Sequence, residues 1–150
     1  MIAEQDMDRV LTVLKIIWLA LLGSLSLYLV VGRFVVPDFA SPVSREILDI
    51  LRIALFLLGF ITLIAVKTVR RLILGTDRDR QTSMPQRYAS AVIASLAMSE
   101  SIGIYGLVLF LLGKNEMDLY LLVGISAAAM YYFRPRKEEL LSLSQWGDRT

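Results

Sequence analysis

The stretch Tyr88-Ala-Ser-Ala-Val-Ile-Ala-Ser-Leu-Ala-Met-Ser-Glu100-Ser-Ile-Gly-Ile-Tyr-Gly-Leu-Val-Leu-Phe-Leu-Leu112 decides how this chain folds. At ~1.5 Å per helical residue it is long enough to cross the ~30 Å hydrocarbon core of a bilayer. Its one charged side chain, Glu100, falls near the midpoint. An ionised, unpaired carboxylate there costs several kcal/mol, so such a group is protonated, paired or cation-bound, and each state is a functional lead.

The rest of the chain has the same character. It has 150 residues, 56% of them hydrophobic, with a mean hydropathy of +0.61, which is too apolar for a soluble domain of this size. Apolar runs at 10–31, 47–66, 89–112 and 119–133 predict four transmembrane helices. Pro37 and Pro42 punctuate the first connection, and Gly113-Lys-Asn-Glu-Met-Asp118 makes a tight third one. The fold class expected is therefore all-α: a single polytopic domain of four transmembrane helices arranged as antiparallel hairpins, with a loop at 67–88 and a tail at 134–150. The acidic N-terminus has no positively charged leader region, so the first run reads as an uncleaved anchor.

Basic residues set the orientation. Lys67, Arg70, Arg71, Arg78, Arg80 and Arg87 crowd the loop between the second and third runs, and Arg134, Arg136, Lys137 and Arg149 follow the fourth. The other side has Arg33, Arg45, Arg52 and Lys114. The positive-inside rule then places both termini and the long loop in the cytoplasm, in a bacterial inner membrane, with Tyr131, Tyr132 and Phe133 at the interface. The segment from Lys137 to Trp146 reads either as a short interfacial helix anchored by Trp146 or as a solvated tail.

Composition narrows the chemistry. With no cysteine and no histidine, disulfides, thiolate or imidazole metal sites and Cys–His or Ser–His catalysis are removed together. Nothing resembles a P-loop or a nucleophile with its base, so no enzyme activity, metal or cofactor is expected. A net charge of +2 gives no reason to expect a nucleic-acid partner. The expected partners are lipid, other membrane subunits or a second copy of the chain, and a proton or sodium ion.

Helical geometry adds two expectations about Glu100. By depth, Arg52 on the second helix is the best-placed cation to pair with it; the alternative is that Arg45, Glu46, Asp49 and Arg52 form local pairs at the helix start. Ala91, Ser95, Ser99 and Gly103 recur every four residues as a face of small side chains. This face packs either the bundle or an oligomer contact, and Glu100 at its edge should meet protein.

The run Ala94-Ser-Leu-Ala-Met-Ser-Glu-Ser-Ile-Gly-Ile-Tyr-Gly-Leu-Val108 resembles the ion-binding helix of the rotor-ring proteolipid, subunit c, of rotary ATP synthases and ATPases. In that family a mid-membrane acid precedes a short apolar-Tyr-Gly-Leu-Val run. Arg80-Gln81 and Pro85-Gln86-Arg87 are similar to its polar loop. The resemblance implies that Glu100 is the proton- or sodium-binding carboxylate, with Ser99 and Tyr105 contributing oxygens. It does not extend to the second helix, where Gly59 is the one glycine among bulky side chains instead of a glycine repeat. Two functions follow: a proton- or cation-binding subunit of a membrane complex, or a non-catalytic structural or assembly subunit in which Glu100 fixes helix packing.

Overall fold

In the computed structural model, residues 2–34, 43–75 and 84–147 are described, with side chains from Met7 to Ser142 within those ranges. They form five helices: α1 (Ile2–Phe34), α2 (Arg45–Gly75), α3 (Met84–Gly113), α4 (Glu116–Tyr132) and α5 (Lys137–Gly147). The first three are long and apolar enough to cross a membrane, the mark of an integral membrane protein. Each extends beyond the apolar run read from the sequence, because hydropathy marks the part suited to lipid and the backbone ladder continues past it. At 17 residues, α4 is shorter than the ~20 residues a span usually needs.

Packing runs up-down-up-down. Arg52 meets Asp118 near the start of both helices and Lys67 lies over the Tyr132 ring farther along, so α2 runs in the same direction as α4. Leu48 sits beside Gly113, and Ile102 beside Gly59, so α2 opposes α3. The α3–α4 turn is tight. Lys114 takes a left-handed φ of 55°, its N–H donates to the Phe110 carbonyl, and the Asn115 side chain caps α4 by accepting from the Met117 N–H at 3.1 Å.

The small face of α3 is what lets α4 lie so close. Ala91, Ser95, Ser99 and Gly103 are all buried, and Ser126 Oγ donates to the Ser99 carbonyl at 2.6 Å. A Cβ at Gly106 would come within 2.9 Å of Leu122 Cβ and 3.4 Å of the Leu119 carbonyl oxygen, so the two backbones approach there. On the α1 side, Leu11, Leu14 and Leu25 pack with Tyr88, Val92, Leu96, Val123 and Met130. The Trp18 indole N–H donates to the Met130 carbonyl at 3.0 Å and ties α1 to α4.

The tail does not trail free. Leu140 of α5 is buried in the same core cluster, and Tyr88 accepts from the Arg136 N–H at 2.9 Å. Arg78 and Arg80 of the basic loop and Arg149 of the tail lie outside the described residues, and so does the side chain of Trp146.

Candidate functional site

Glu100 sits at the seam between α1 and α3, half-buried. Ile93, Ala97, Ile104 and Val108, on the same side of α3, are exposed, so the carboxyl group borders a lipid-suited stripe as well as a protein contact. Its partners come from α1. Ser24 Oγ lies 2.6 Å from Glu100 Oε1, and the Tyr28 hydroxyl donates to the same oxygen at 3.1 Å. Ser24 and Tyr28 stand one helical turn apart, so both can face one point on α3.

Ser24 Oγ also lies 2.7 Å from the Leu21 carbonyl oxygen. The Ser24 hydroxyl is thus shared between the Leu21 carbonyl and Glu100, a three-centre arrangement, while the Tyr28 hydroxyl donates to Glu100 alone among these acceptors.

The other residues expected at this site lie elsewhere. Ser99 faces α4, with its Oγ donating back to the Ser95 carbonyl at 2.8 Å. Tyr105 packs with Ile102, Leu109 and Leu122 on the side of α3 turned toward α2. Both stand on other faces because successive helical residues rotate by about 100°. Arg52, read as a partner for Glu100, instead donates to Asp118 Oδ1 at 2.6 Å. The depth argument left out α4, whose first turn brings a nearly buried acid to α2, at the level of Leu109 rather than Glu100. The Asp118 side chain is 5% exposed and that of Arg52 46%. The pair is therefore a clamp at one end of the bundle, and Asp118 also complements the N-terminal dipole of α4.

Among the described residues the ion pairs include Arg52–Asp118, Arg70–Glu139 and Lys137–Asp8, and Glu100 belongs to none of them. No group of three or more acidic side chains is placed to hold a metal ion, again among the described residues. Ser24 and Tyr28 were legible only as two polar residues on an otherwise apolar face of the first run. Comparison with known protein families, with characterised proteins and with solved structures finds no match to this chain.

Proposed function

We propose that this protein is a small four-span subunit of a membrane complex, in a bacterial inner membrane with both termini cytoplasmic, and that Glu100 is its reversible proton site. One observation carries the reading: the half-buried mid-span carboxyl of Glu100 is met by the Ser24 and Tyr28 hydroxyls and joins none of the ion pairs among the described residues. Ser24 and Tyr28 both donate to Glu100 Oε1, so α1 offers hydroxyls and no cation to the carboxyl group. A neutral acid at mid-span avoids the cost of a buried charge with no cation beside it. Its place at the edge of an exposed stripe leaves a route for the proton to a partner, and the rotor-proteolipid-like sequence around Glu100 supports the same role.

A second reading draws on the same contacts: they bridge α1 to α3, and a permanently neutral Glu100 would act as a structural pin. Carbodiimide labelling of the protein in proteoliposomes separates the two. A proton site is labelled at Glu100 in a pH-dependent way, the label is lost in Glu100→Gln, and sodium gives no protection. Labelling that sodium suppresses would convert the proposal to a cation site. Absence of labelling across the pH range would favour the pin.

A further inference from the structure

A cleft opens between the C-terminal halves of α2 and α4, where those two helices diverge. Its outer part, about 450 Å³, is lined by Lys67, Arg70, Arg71 and Arg136 together with Glu138 and Glu139. Four cations against two carboxylates leave a net charge of +2 on this lining. Glu139 is already taken by Arg70, whose Nη2 lies 2.7 Å from each of its carboxylate oxygens. Arg70 Nη1 is buried with no hydrogen-bond partner, whereas buried donors are ordinarily satisfied. Lys67, Arg71 and Arg136 are exposed, and none forms an ion pair among the described residues.

The inner part of the cleft, about 610 Å³, shares Lys67, Arg71, Tyr132 and Phe133 with the outer part and continues along Leu63, Ile64, Thr68 and Ala129. Cationic heads therefore rim one end of a largely apolar trough that runs along a helix suited to span a bilayer. Lys67 Nζ stands 5.8 Å from the centre of the Tyr132 ring, an aromatic–cation arrangement typical of headgroup depth. A soluble acidic ligand would leave the trough uncovered. An amphiphile with a negative head fills both parts.

We propose that this cleft binds one anionic phospholipid, with its phosphate held by Lys67, Arg71 and Arg136 and one acyl chain laid against Leu63, Ile64 and Ala129. The inference rests on α2 crossing a bilayer, which is checked separately by resistance of the protein to alkaline extraction from membranes.

Native mass spectrometry of the full chain, titrated with phosphatidylglycerol, tests it. The triple variant K67Q/R71Q/R136Q should bind at least about tenfold more weakly. R9Q/K15Q/R87Q removes the same number of charges outside the cleft and should bind as the wild type does. Thr68→Trp, at an exposed position in the trough, keeps every charge and should lose binding to a similar degree as the triple variant, which preserves the test if the triple variant does not fold. Phosphatidylcholine, glycerophosphoglycerol and inorganic phosphate should not compete. Equal loss in the R9Q/K15Q/R87Q variant, unchanged binding in Thr68→Trp, or effective competition by the soluble phosphates would each overturn the proposal.

Discussion

At the scale of a residue, Ser24 and Tyr28 define the surroundings of Glu100, with both hydroxyls reaching its Oε1. Two substitutions measure the contribution of the cluster. Ser24→Ala and Tyr28→Phe should each lower stability by about 0.5–1 kcal/mol, the usual scale for a hydrogen bond inside a membrane bundle, as read by unfolding in detergent. Glu100→Gln should stay within about 1 kcal/mol of wild type, since the amide oxygen can still accept from Ser24 and Tyr28. Arg52→Gln leaves Asp118 nearly buried without its cation and should cost about 1–3 kcal/mol, reduced from the fully buried case by the solvent exposure of Arg52. Glu100 was legible in the sequence as the one charged group in a long apolar run. Its partners were not, because they depend on how α1 is rotated against α3, and that rotation is set by packing at Leu25 and Gly103.

At the scale of an element, the α3–α4 contact is governed by where a side chain has room. Gly106→Ala would push a methyl into Leu122 and the α4 backbone and should cost about 1–3 kcal/mol. Gly23→Ala, with nothing within 4 Å of the added carbon, should leave stability unchanged or raise it by up to about 1 kcal/mol. Lys114→Gly should also stabilise, by about 0.5–1 kcal/mol, because glycine occupies the left-handed conformation without strain. The spacing of Ala91, Ser95, Ser99 and Gly103 was visible in the sequence, and the structure buries that face, with Ser99 and Gly103 meeting Ser126 of α4. The length of each helix was not visible, since polar residues such as those before Val10 continue a helix without continuing an apolar run.

For the whole molecule, the N-terminal end of α1 and the C-terminal ends of α2 and α4 gather on one side, where Lys137 lies 2.9 Å from Asp8 and Arg70 meets Glu139. Reporter fusions at Thr82 and at the C-terminus should therefore both report the cytoplasm under the proposed orientation. A split result would mean that α4 does not span, which its 17 residues make the critical point. The all-helical class of the described residues and their long apolar helices followed from the apolar runs. The docking of α5 through Leu140 and Tyr88 did not, because a single leucine in a charged tail gives no periodic pattern to read.

The central proposal is that Glu100 is a reversible proton site, and infrared difference spectroscopy between wild type and Glu100→Gln in proteoliposomes, as the pH is varied, tests it most directly. A reversible site gives a protonated-carboxyl C=O band that rises and falls with pH in the wild type, is missing from the variant and shifts when Ser24 is replaced by alanine. A wild-type spectrum with only the carboxylate bands at this position would contradict it.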